Sequence, residues 1–153
     1  DALNILSGNN ELWELLPAKT ILTPHPKEFE RLIGMKKSPY ECWLAQMEIS
    51  QKKNIIIILK GAYTSISLPD GTIHINSTGN SGMATAGSGD MLAGMIAAFL
   101  ANGMDPTKAV VSAVSLHGAA GDKAAEKFGI RGLMVSDIIE QLHSLLNNAL
   151  GDR

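Results

Sequence analysis

The chain has 153 residues, Lys+Arg 13 against Asp+Glu 15 and a formal net charge of -2, so it carries no basic field able to neutralise the phosphates of a nucleic acid. A composition that is 45% hydrophobic and 18% charged excludes disorder, and one domain of this length buries roughly 68–70% of its unfolded surface without disulfides. The single cysteine, Cys42, cannot close an internal bridge, fits a reducing cytoplasmic setting and reads as core filler.

Leu3 to Leu16 reads as an irregular helix interrupted at Gly8-Asn9-Asn10, with Glu11 to Leu16 as its second piece. Lys19 to Thr23 is extended and stops at Pro24-His25-Pro26, where each proline drives its predecessor out of helical space. Pro26 suits a first helical position and Glu28 its first turn, which predicts a helix to about Ile33 closed by Gly34. A second helix runs from Pro39 to about Gln51, carrying Trp43, Leu44, Met47 and Ile49, and Lys52-Lys53-Asn54 breaks its pattern.

Ile55 to Leu59 is continuously apolar, the pattern of a parallel strand covered on both faces. Thr64 to Leu68 and Thr72 to Asn76 alternate around Pro69-Asp70-Gly71 and predict a β-hairpin. A loop from Ser77 to Ser88 leads into three helices, about Asp90 to Asn102, Pro106 to Phe128 and Val135 to Ala149. This order defines an α/β domain with about four strands and helices segregated toward its end. No apolar run is long enough to cross a bilayer as a helix. The opening Asp1-Ala2-Leu3-Asn4 has no initiator Met, and the few strands point to a piece of a wider sheet.

The chemistry concentrates at Gly79-Asn80-Ser81-Gly82-Met83-Ala84-Thr85-Ala86-Gly87-Ser88-Gly89-Asp90, a glycine loop entering an apolar helix. Unpaired N–H groups at a helix start and the positive end of its dipole suit a phosphate. Asp90 has two readings, a helix N-cap, or a carboxylate needed as base for a substrate hydroxyl or in a metal site. A Walker A loop is excluded by Asp90 and Met91 where Lys and Ser or Thr belong, and a dinucleotide fingerprint by Leu92 in place of its third Gly. Lys60-Gly61-Ala62-Tyr63-Thr64 closes the buried strand, where ligands of open α/β sheets bind; Lys60 either reaches a phosphate or is simply solvated. His25 is either a rigid turn residue or a pre-positioned polar group. His74 reads as a surface or cross-strand residue, His117 as packed among small residues, His143 as lying among polar residues, and Ser88 has no triad spacing. No residue set makes a metal cluster.

Four motifs, Thr23-Pro24-His25-Pro26 with Glu28-Phe29, Leu59-Lys60-Gly61, Gly79-Asn80 through Asp90, and Leu92-Ala93-Gly94, resemble in residues and order the ADP/ATP-dependent NAD(P)H-hydrate dehydratases. The resemblance covers nearly the whole chain. It implies the C-terminal part of a ribokinase-like three-layer α/β/α domain, with residues 1–153 as a single domain forming the C-terminal half of a larger one. It also implies ADP-dependent loss of water from the S-form of hydrated NADH or NADPH, releasing phosphate and AMP, with Mg²⁺ beside the nucleotide. The Gly82-Met83-Ala84-Thr85 version resembles bacterial members and favours ADP over ATP. By resemblance, His25 and Asp90 contact the hydrated cofactor, Asp90 is catalytic, and Lys60, Gly61, Ala62, Tyr63, Thr64, Gly87, Ser88 and Gly89 hold the nucleotide. A homo-oligomer without nucleic-acid or membrane partners and fusion to, or pairing with, an epimerase are further expectations. The alternatives are a ribokinase-like kinase for a small molecule and a non-catalytic nucleotide-binding fragment. The piece alone is expected to be inactive and self-associating, because the family's N-terminal half supplies the opposing substrate wall.

Overall fold

The computed structural model describes residues 2–36 and 38–150. Asp1, the first residue of the opening segment, lies outside them. The chain divides into two compact units, residues 1–75 and 76–153.

The first unit begins with two short helices, α1 (Ala2–Ser7) and α2 (Asn10–Glu14), separated where the sequence predicts a break. Asn9 caps α2 by accepting from the Glu11 N–H. Strand β1 is only Ile21–Leu22, shorter than the stretch expected from Lys19 to Thr23. Lys19 takes a left-handed backbone (φ 63) and the Thr20 N–H turns back to the Pro17 carbonyl, which keeps both out of extended strand geometry although the Thr20 carbonyl already accepts from the Ile56 N–H at 2.9 Å. Helices α3 (Pro26–Ile33) and α4 (Pro39–Lys53) follow. α4 runs two residues beyond the predicted end, because Lys52 and Lys53 favour the negative end of its dipole, and left-handed Asn54 (φ 53) closes it.

β2 (Ile56–Leu59), β3 (Ser65–Ser67) and β4 (Ile73–Ile75) complete a four-stranded sheet in the order β1-β2-β3-β4, parallel between β1 and β2 and antiparallel thereafter. The predicted hairpin is β3–β4, its turn held by Asp70 accepting from the Thr72 N–H at 2.8 Å. Ile55 and Ile57 pack with Leu6, Leu22 and Phe29, and Cys42 fills space at the edge of this cluster. Ile56 and Ile58 alternate to the opposite side and are equally buried.

The sequence pattern does not anticipate the sheet-facing side of α4. Gln46 and Ser50 are fully buried there, whereas Leu44 is exposed. Gln46 donates to the carbonyls of Ile57 (2.8 Å) and Ser65 (3.0 Å) and accepts from the Ser65 hydroxyl (2.7 Å). Ser50 and Ser67 hydroxyls lie 2.5 Å apart, and Ser67 also donates to the Gln46 carbonyl. Among the described residues no buried side-chain polar atom lacks a partner, as a low-dielectric interior requires.

In the second unit a 3-10 turn (Ser81–Met83) precedes α5 (Ser88–Ala101), α6 (Pro106–Phe128) and α7 (Val135–Leu150). Asp105 caps α6 through the N–H groups of Thr107 and Lys108, with Pro106 in the first turn. Ala120 and Ala124 of α6 pack with Leu133 and Ile138, and the small residues let the helices approach closely. Met83 and Met91 pack against this cluster, where their flexible side chains fill irregular space.

Candidate phosphate loop and strand-end site

The glycine loop enters α5 through Gly87, whose φ of 84 is open to glycine but strained for a side chain. α5 starts at Ser88, two residues earlier than expected, so the N-cap is Gly87 and Asp90 occupies the third helical position. The N-cap reading of Asp90 is thereby corrected. Gly87 offers no side-chain cap, and the Ser88 N–H bonds the Thr85 carbonyl. The N–H groups of Gly89 and Asp90 follow it in the first turn, where a helix offers no carbonyl one turn back.

Among the described residues four carboxylates hold this third helical position, Glu28, Glu41, Asp90 and Asp137, and Asp137 of α7 accepts from the Met134 N–H at 2.9 Å. Glu28 of α3 reaches back to accept from the His25 N–H at 2.7 Å. Asp90 is exposed, and no described residue donates a hydrogen bond to its side chain. A carboxylate at this position ordinarily completes a capping box. That of Asp90 is left available in the midst of unpaired N–H donors.

Ser88, at the first helical position, is buried, and its hydroxyl lies 3.3 Å from Nε2 of His117 on α6. Burial pushes the His117 imidazole below its ordinary range, with the Ser88 contact opposing in part. A neutral ring therefore accepts from, or donates to, the serine hydroxyl. The sequence spacing of 29 residues conceals this pair.

In the first unit, His25 and Lys60 stand at the carboxyl ends of the adjacent parallel strands β1 and β2. The Lys60 N–H bonds the Pro24 carbonyl at 2.9 Å, which puts the two motifs side by side. His25 is the N-cap of α3, its Nδ1 accepting from the Glu28 N–H at 3.2 Å. Pro24 before it is fully buried and Pro26 behind it occupies the first helical turn. Nε2 of the His25 ring lies 3.5 Å from Glu28 Oε2. The structure shows His25 as a held turn residue engaged with Glu28 through both backbone and side chain. The loop Gly61-Ala62-Tyr63-Thr64 is closed by the Thr64 hydroxyl, which accepts from the Gly61 N–H (3.3 Å) and donates to its carbonyl (3.1 Å). Tyr63 is exposed.

Among the described residues no group of three or more His, Cys, Asp or Glu side chains could hold a metal ion, and no helix is long and apolar enough to cross a membrane. His74 on β4 and His143 on α7 are exposed. A cavity of about 490 Å³ in the first unit, lined by residues such as Trp13, Leu32, Ile49 and Lys53, includes none of the predicted site residues.

A small mixed sheet, a strand-end loop and a glycine-led helix start are the features of a ribokinase-like α/β protein. A ribokinase-like superfamily protein of Enterococcus faecalis superposes with a TM-score of 0.80, at 31% identity over 96% of this chain and 50% of that one. The model of the NAD(P)H-hydrate dehydratase family matches residues 1–144, and the chain belongs to that family. It is 41% identical to the bifunctional NAD(P)H-hydrate repair enzyme of Moorella thermoacetica over 97% of this chain and 28% of that protein. It is 40% identical to the ADP-dependent (S)-NAD(P)H-hydrate dehydratase of Neisseria meningitidis over 96% of this chain and 51% of that protein. The ADP/ATP-dependent NAD(P)H-hydrate dehydratase of Bacillus subtilis, co-crystallised with ATP/Mg²⁺, superposes with a TM-score of 0.79 at 34% identity, over 85% of this chain and 48% of that one. The chain thus spans about half the length of its single-activity relatives and less of the bifunctional one.

Proposed function

We propose that the protein carrying this chain uses ADP to drive the loss of water from the S-form of hydrated NADH or NADPH. The observation that carries the reading is the uncapped start of α5, with Asp90 exposed and unengaged beside unpaired N–H groups. The family membership and the ADP-dependent relative support it.

In this reading the hydroxyl of the hydrated ring attacks the terminal phosphoryl group of ADP as Asp90 accepts the hydroxyl proton. A bond forms between that oxygen and phosphorus, and the bond from phosphorus to the bridging oxygen breaks, releasing AMP. The free N–H groups of Gly89 and Asp90 in the first turn of α5, placed where charge gathers on the transferred oxygens, lower the barrier without reorganisation. Phosphate then leaves the ring carbon as the neighbouring carbon gives up a proton, and the double bond is restored. The Lys60 to Thr64 loop holds the nucleotide, and His25 contacts the hydrated cofactor. A Mg²⁺ accompanying the nucleotide would be held by its phosphates and water with at most one or two protein carboxylates, and would neutralise charge on the phosphoryl oxygens. Fusion to, or pairing with, an epimerase and a cytoplasmic setting complete the reading; one relative is named as bifunctional.

The test is Asp90→Asn in the full-length protein. Turnover, followed as recovered NAD(P)H absorbance with phosphate release, is expected to fall roughly 10²–10⁴-fold while ADP affinity stays within about threefold. Near-normal turnover would refute the role of Asp90. Accumulation of a phosphorylated product without recovered absorbance would show a kinase instead.

A further inference from the structure

We propose that one face of α6, from Ser115 to Asp122, is the platform that positions the glycine loop for this reaction, with Asp122 and His117 as its positioning residues. The inference rests on the functional reading above.

The helical repeat places residues 117 and 121, and 118 and 122, one turn apart on a common face. That face meets the loop over Thr78 to Met83 and again at Ser88, while Gly87 lies against Val135. At the start of the loop, the Thr78 hydroxyl donates to the Ser115 carbonyl at 3.2 Å. The two Asp122 oxygens accept from the Gly79 N–H (2.8 Å) and the Asn80 amide (3.0 Å). The same Asn80 amide reaches the Gly121 carbonyl (2.9 Å), while its oxygen accepts from the Gly82 N–H (3.0 Å) and shapes the 3-10 turn. At the end of the loop, His117 holds the Ser88 hydroxyl.

Between these anchors the helix has no side chains to spare. A Cβ on Gly118 would stand 2.2 Å from the Thr78 hydroxyl and 2.8 Å from its backbone carbonyl. A Cβ on Gly121 would strike the Met83 sulfur. The loop lies directly on the α6 backbone, with a hydrogen-bonded anchor at each end.

The consequence is functional because the donors of the proposed reaction are backbone N–H groups, which have no rotamers of their own. Their aim is the conformation of the loop, and α6 sets that conformation before any ligand arrives. Misplacement by about 1 Å can lower turnover about 10²-fold. Asp122 and His117 act through Gly79, Asn80 and Ser88 and need touch no substrate themselves.

The experiment compares Asp122→Asn, His117→Leu and His117→Gln with the wild type in the full-length protein, well below its unfolding temperature. Asp122→Asn preserves shape but turns an amide toward one of two donors; His117→Gln keeps a polar atom near Ser88, which His117→Leu removes. Expected are a kcat lower by about 10²-fold for Asp122→Asn and about tenfold for His117→Leu, with the KM for ADP within about threefold. His117→Gln should retain kcat within about threefold. Amide hydrogen exchange of the ligand-free protein should quicken across residues 79–88 in the first two variants and not in His117→Gln. Folded Asp122→Asn and His117→Leu proteins with wild-type kcat and exchange would overturn the proposal. Equal losses in His117→Leu and His117→Gln would do so too, since packing alone would then explain them. If Asp122→Asn does not fold, the two His117 variants decide. A wild-type protein that neither binds ADP nor restores the cofactor removes the functional reading instead, and unchanged loop exchange in the variants would then still overturn the platform.

Discussion

Gln46→Leu tests the buried polar seam between α4 and the sheet. The substitution nearly preserves volume but removes three hydrogen bonds, those to the Ile57 and Ser65 carbonyls and that from the Ser65 hydroxyl. At about 1 kcal/mol each this is about 3 kcal/mol, and the stranded Ser65 hydroxyl adds about 1–3 kcal/mol. The leucine side chain returns about 2 kcal/mol by burial. The net loss is about 2–4 kcal/mol, a large share of the roughly 5–15 kcal/mol typical of a whole domain. With a urea slope of about 2 kcal/mol/M, the unfolding midpoint should fall by roughly 1–2 M. The assay is selective, because both tryptophans, Trp13 and Trp43, lie in the 1–75 unit. Adding Ser65→Ala to Gln46→Leu removes the stranded hydroxyl and should recover about 1–2 kcal/mol. A midpoint unchanged or raised in Gln46→Leu, with a native emission spectrum, would show that the seam contributes specificity of pairing and not stability.

Two further outcomes follow from the second unit. His117 is held below its ordinary imidazole range by burial, so its contribution to stability is fully present above about pH 6.5 and is lost as pH falls toward the folded value. Stability should decline by up to about 1.4 kcal/mol per pH unit in that window, and chemical denaturation of His117→Gln at several pH values should lack this component. Gly118→Ala, whose Cβ would meet Thr78 backbone, should cost about 1–3 kcal/mol, whereas Gly94→Ala, with nothing within 4 Å and a helical position, should stabilise by about 0.5–1 kcal/mol. Thermal melts that rank the two alike would contradict the packing described for α6.

Local chemistry made much of this protein legible. Proline and glycine placed α3, which runs from Pro26 to Ile33 as expected, because both act through the backbone within one or two residues. The apolar run around Ile56 and the turn at Asp70-Gly71 marked the buried strand and the hairpin, since burial and turn geometry leave their mark on neighbouring residues. The glycine-led start of α5 and the strand-end lysine were visible for the same reason. Hydrophobic periodicity failed on α4, whose sheet-facing side is made by Gln46 and Ser50. Those residues are buried because strands eleven or more positions away supply their partners. It likewise could not show that Asp90 sits at the third helical position rather than the cap, which the left-handed turn at Gly87 decides. Least visible were the partners of the loop, Ser88 with His117 and Gly79 with Asp122, 29 and 43 residues apart. The sequence by itself determined the order of elements and the residues able to do chemistry, for these depend on short-range sterics and on residue type. Only the tertiary structure decided which polar groups meet, because a hydrogen bond over such a separation exists only once packing has brought the helices and the loop together.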